Sequence, residues 1–124
     1  MSRKNNLRQF PSIVNGDMSL ASITSAVTNI QFLDNISIQL NFSGSPTGTF
    51  AIQVSVDYVQ DDNGNVVTPG NWVAISLPST PVASGSPGSI VIDLNQLATP
   101  WIRVVYTKSS GTGTLNSFIS GKML

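Results

Sequence analysis

Three of the six aspartates, Asp57, Asp61 and Asp62, cluster around one turn, and they are the obvious place to look for chemistry. A carboxylate pair serves a glycosidase-like mechanism. Asp and Asn at a hairpin far more often serve turn geometry. General acid–base work near neutral pH calls on His, Glu, Lys or Cys, and the chain contains no His, no Cys and no Glu. The expectation is therefore a protein that is not an enzyme. Asp61-Asp-Asn-Gly-Asn65 resembles a calcium loop only superficially, because its glycine is not at the sixth position and no Glu closes it. Asp57, Asp61 and Asp62 remain the candidate for a weak calcium site completed by backbone carbonyls, against the ordinary reading of a solvated turn. Zinc and redox metals lack ligands, so no metal and no cofactor is expected. Gly111-Thr-Gly-Thr114 is a flexible turn, since no Lys-Ser/Thr pair follows it to make a phosphate cradle.

Two further groups matter for binding. Arg3, Lys4 and Arg8 fall in the first eight residues, where there is no acid; the rest of the chain carries three basic residues against six Asp. With Leu7 and Phe10 they form a candidate partner-binding arm. Three charges give only weak, salt-sensitive contact with nucleic acid unless many copies act together. The second group is aromatic. Trp72 and Trp101, with Tyr58, are candidates for stacking a sugar. The competing reading is structural, because each Trp opens a strand where it can plug an end of the fold. Arg103 shares a strand face with Trp101, which fits stacking or an ion pair with Asp93.

The elements that must position these groups are strands. Ile36, Ile38, Leu40 and Phe42 alternate with Ser37, Gln39 and Asn41, so one face is buried and the other wet. Phe50 to Tyr58 alternates as a long strand, and Asn63-Gly64 is a strong hairpin dipeptide. Asn71–Leu77, Ser89–Leu94, Trp101–Thr107 and the run after Gly113 complete the set, with Pro78–Gly88 a loop and Lys108–Thr114 a hairpin turn. Ile30–Leu33 is expected as a short strand ended by a turn at Asp34-Asn35. Ser12–Asn29 is ambiguous: Asp17 is placed as a helix N-cap, but Ser, Thr and Val are weak helix formers, and extended structure is favoured.

Seven or eight short strands split by Gly, Pro and Asn turns predict an all-β fold, an antiparallel β-sandwich of jelly-roll-like form. Residues 1–11 are expected as an extended N-terminal arm and residues 12–124 as a single sandwich domain. A chain of this length builds a core without staples. No run is long enough to span a bilayer, and the N-terminus lacks the apolar core of a signal peptide. The absence of cysteine favours assembly in a reducing cytosol.

Gly48-Thr-Phe-Ala-Ile-Gln-Val-Ser-Val-Asp57, Asn71-Trp-Val-Ala-Ile75, Pro100-Trp-Ile-Arg-Val-Val-Tyr-Thr107 and Ser110-Gly-Thr-Gly-Thr-Leu-Asn116 together resemble small structural proteins of bacteriophage virions. The resemblance covers about residues 30 to 122 and carries over no catalytic residues. It implies a sandwich that coats or joins parts of a particle, as a minor capsid, decoration or vertex/connector subunit. The corresponding expectation is a homo-oligomer in the virion, assembled in the host cytoplasm. Its partners would be capsid or other virion proteins, with weak contact of the arm with packaged nucleic acid. The alternative is a carbohydrate- or receptor-binding module of a phage fibre or spike.

Overall fold

A computed structural model describes residues 7–95 and 97–123. Arg3 and Lys4 of the expected arm lie outside the described residues. Twelve strands are found among those described: β1 (Leu7–Asp17), β2 (Ser22–Thr24), β3 (Thr28–Asn29), β4 (Leu33–Gly44), β5 (Thr47–Ser55), β6 (Val59–Gln60), β7 (Val66–Thr68), β8 (Val73–Ala74), β9 (Val82–Ser84), β10 (Gly88–Leu94), β11 (Trp101–Ser110) and β12 (Gly113–Met123).

Every pairing is antiparallel, and the strands form two main sheets. One sheet runs β1-β12-β4-β10; the other runs β2-β11-β5-β8, with β3 also on β11 and β9 also on β5. Counting β2 with β3, and β8 with β9, as interrupted single strands leaves eight strand positions. The chain alternates between sheets at each step except from β5 to β8/β9. That order is a jelly roll, two sheets wound from Greek keys, and the fold is an all-β sandwich. β6 and β7 form a separate hairpin between β5 and β8.

Period-2 alternation builds the core. Ile36, Ile38, Leu40 and Phe42 of β4 point inward, as do Ile102, Val104 and Tyr106 of β11 and Phe50 and Ile52 of β5. The sheets meet where Phe42 lies 5.7 Å from Phe50, ring centre to ring centre, and within its own sheet Phe50 lies 5.0 Å from its cross-strand partner Tyr106. Each such side chain contributes about 1.5–3 kcal/mol by leaving water.

Several sequence-based boundaries move. Leu7–Pro11 are not a free arm: they pair with Phe118–Lys122 as the first half of β1, so the boundary expected after residue 11 falls inside a strand. Ile30–Leu33 is a turn, because Asn29 Oδ1 accepts from the Gln31 N–H (2.9 Å) and the Leu33 N–H donates to the Ile30 carbonyl (3.1 Å). β4 then runs straight through Asp34-Asn35. Asp17 caps a turn rather than a helix, accepting from the Ser19 N–H (2.9 Å) and hydroxyl (2.6 Å). β5 stops at Ser55 instead of continuing to Tyr58, since the Ser55 hydroxyl donates to Asp57 (2.8 Å) and accepts from the Tyr58 N–H (3.2 Å). Only Val73–Ala74 of the expected Asn71–Leu77 strand is assigned as a strand. The segment Lys108–Thr114 crosses between sheets and is not a hairpin turn, with Gly111 at φ 81° making the bend.

Candidate functional site

Tyr58, Trp72 and Trp101, far apart in sequence, come together on the outer face of the β5–β11 sheet. The Ser55 turn lifts the chain off β5, and the excursion through β6 and β7 returns at Asn71. Its base is clamped by Asp57, which accepts from the Asn71 N–H (2.8 Å), the Asn71 side-chain amide (2.7 Å) and the Ser55 hydroxyl (2.8 Å). These donors, the Asn71 backbone first, hold the Asp57 carboxyl below its ordinary pKa. Gly70, at φ 71°, packs so close to Tyr58 that a Cβ there would meet the Tyr58 backbone at 2.8 Å.

Within the clamp, the buried Tyr58 ring lies 5.4 Å from Trp72 and 5.0 Å, nearly edge-on, from Trp101. The Arg103 guanidinium stands 4.3 Å over Trp72, and its Nε donates to Gln53 Oε1 (2.7 Å). Gln60 donates to the Tyr58 hydroxyl (2.8 Å), and Trp72 Nε1 donates to the Pro69 carbonyl (3.1 Å). Both indoles are half-buried. Much of the rings' surface is spent on one another and on Arg103, so the cluster staples the excursion to the sheet. Arg103 stacks on Trp72 rather than on Trp101, the strand neighbour that suggested a stack, and does not make the ion pair: Asp93 sits on the other sheet and accepts from Ser37.

The acidic turn does not assemble a cation site. Asp61 accepts from the Asn63 and Asn65 N–H groups, both at 2.9 Å, which lowers its pKa and closes the loop with Gly64 at φ 84°. Asp57 is committed to Asn71. Among the described residues no three His, Cys, Asp or Glu side chains converge, so the weak calcium candidate Asp57, Asp61 and Asp62 is corrected to two separate turn-forming carboxylates and a neighbour.

Of the arm residues, Leu7 and Arg8 are exposed on β1, where the Arg8 Nε lies 2.9 Å from the Met123 sulfur. Phe10 packs edge-on against Phe32 at 6.1 Å. Beside them, the outer face of the β1-β12-β4-β10 sheet is rich in amides and hydroxyls, interrupted by Phe118, Val91 and Asp93. A row of Asn15, Asn116, Asn41 and Ser89 crosses all four strands: Asn116 Oδ1 accepts from the Asn15 N–H (2.9 Å), and Asn41 Oδ1 accepts from the Ser89 hydroxyl (2.8 Å). Asn116, Asn41 and Ser89 of this row line a shallow cleft of about 450 Å³ that also takes in Ser43 and Thr114. Sequence reasoning missed the row; its signal was the outward Asn of β4 and of β12, whose register it did not align.

Strand order and these surfaces define a class: a jelly-roll sandwich with one outer face rich in amides and hydroxyls and an aromatic cluster on the other. No helix among the described residues is long and apolar enough to cross a membrane. No family model and no curated protein matches the chain. A chain in the structure of infectious bursal disease virus, Gx strain, is similar at a TM-score of 0.49 and 14% identity, over 94% of this chain and 32% of that one. This chain thus spans about a third of that one's length.

Proposed function

We propose that this chain is a non-enzymatic virion structural protein, a rigid block that docks on neighbouring capsid or appendage subunits through its N-terminal segment and its sandwich edges. The observation that carries this reading is the jelly-roll order together with the row of amides and hydroxyls across the β1-β12-β4-β10 sheet. Jelly rolls are a common building block of viral capsids. A face with few charges lets subunits lie side by side with little mutual repulsion. The sequence resemblance to small bacteriophage virion proteins points the same way. Arg3, Lys4 and Arg8 supply a cationic leader for an acidic neighbour or packaged nucleic acid, and many weak contacts in a symmetric shell add through avidity. Particles purified from the source of this chain and imaged by cryo-electron microscopy are expected to contain it as ordered, repeated copies. Its recovery only as a free species, absent from particles, overturns the proposal.

A second reading, a carbohydrate- or receptor-binding module of a fibre or spike, draws on the convergence of Tyr58, Trp72 and Trp101 beside Asn71. Jelly rolls also build lectin domains. Saturable change in tryptophan fluorescence on titration with oligosaccharides, lost in Trp72→Ala, is its expected signature; a flat titration removes it.

A further inference from the structure

A sandwich has four strand edges, and each exposes unpaired N–H and C=O groups that invite another chain. Three of the four are blunted here. β1 carries Pro11, two register shifts and Asn15 in the left-handed region at φ 50°. β2/β3 and β8/β9 are broken into pieces of two or three residues. The fourth is different. β10 pairs with β4 without interruption from Gly88↔Phe42 to Leu94↔Ile36, contains no proline, and carries one charge, Asp93. Val91, at its midpoint, is 60% exposed. A groove of about 290 Å³ runs along this edge between Ile90–Asp93 and the segment from Leu77 to Pro81. That segment does not consume the edge: Pro78 and Pro81 have no N–H, and the Pro81 carbonyl accepts from the Phe50 N–H (2.9 Å) on the other sheet.

We infer that the β10 edge is a self-association site, where β10 of a second copy adds antiparallel about a twofold axis at Val91. The strand is complementary to itself in that register. Val91 meets Val91, Ile90 meets Ile92, and Gly88 leaves room for Leu94. The single charge, Asp93, falls opposite Ser89 of the copy, a hydroxyl of the kind that already donates to it from Ser37. No like charges oppose each other, which is the condition for stable cross-strand pairing. Two four-stranded sheets become one of eight. The inference rests on the docking role proposed above and names one edge and one partner for it.

Sedimentation of the full chain over a range of concentrations tests this. Wild type is expected to form a concentration-dependent dimer. Val91→Lys puts two cations face to face at the axis and is expected to weaken dimerisation at least about tenfold. Val14→Lys, equally exposed on β1, is expected to leave it unchanged. Hydrogen exchange on wild type supplies a readout free of any folding defect: β10 amides gain protection as concentration rises. A monomer at every concentration, equal effects of the two lysines, or β10 amides indifferent to concentration each overturn the inference. Should such a monomer still be found ordered in particles, the edge assignment falls while the structural role stands.

Discussion

Ser12 and Ser117 bind each other through their hydroxyls, 2.8 Å apart and buried, at the point where β1 bulges against β12. The register shift after Pro11 turns Ser12 into the interior, where an unpaired hydroxyl would be costly. Ser117, on the inward face of β12, supplies the partner. The pair therefore anchors the N-terminal strand to the sandwich.

Ser117→Ala is expected to lower stability by about 1–3 kcal/mol, because it strands the Ser12 hydroxyl. The double variant Ser12→Ala/Ser117→Ala is expected to cost less than the two single changes added together, since no orphan remains. Urea denaturation of the four proteins checks this, and strict additivity contradicts it.

Truncation separates docking from folding. Removing residues 1–6 leaves every described β1 pairing in place, so the melting temperature is expected to hold while incorporation into particles falls. Removing residues 1–11 also strips the pairings of Leu7–Pro11 and the Phe10–Phe32 contact, and is expected to lower the melting temperature clearly. Calorimetry beside particle occupancy reads both effects.

The sequence carried most of the fold because alternation survives wherever a sheet has one wet face. β4, β10, β11 and β12 were legible from Ile38, Ile92, Val104 and their neighbours. It was less legible where side chains capture backbone groups. Asn29, Ser55 and Asp17 each accept from an N–H that the pattern would have given to a strand or helix. The site was half legible: Tyr58, Trp72 and Trp101 could be named, but their convergence depends on the Asp57–Asn71 clamp, a contact across fourteen positions that periodicity does not encode.

That clamp has a pH signature. Asp57 has a folded pKa below its ordinary value of 3.8, so its ionised form is favoured by folding. The resulting stability is present above the unfolded pKa and is lost as pH falls from there through the folded pKa. Asp57→Asn is expected to lower the melting temperature at neutral pH and to flatten its decline in acid. A variant whose acid profile parallels wild type would remove Asp57 from the clamp.

Tyr106 offers the opposite sign. Its ring is fully buried between the sheets, yet its hydroxyl has no hydrogen-bond partner among the described residues, and burial raises its pKa. Gly48 presses from above: a Cβ there would lie 2.7 Å from that hydroxyl and 2.3 Å from the Thr107 carbonyl. Removing an orphaned polar atom from a core relieves its desolvation cost while the ring keeps its contacts with Phe50. Tyr106→Phe is therefore expected to stabilise the fold, by about 1 kcal/mol, whereas Gly48→Ala is expected to destabilise it because the Thr107 backbone cannot move aside. Denaturation midpoints of the two variants test the pair, and a loss of stability in Tyr106→Phe would mean that the hydroxyl is bonded in solution.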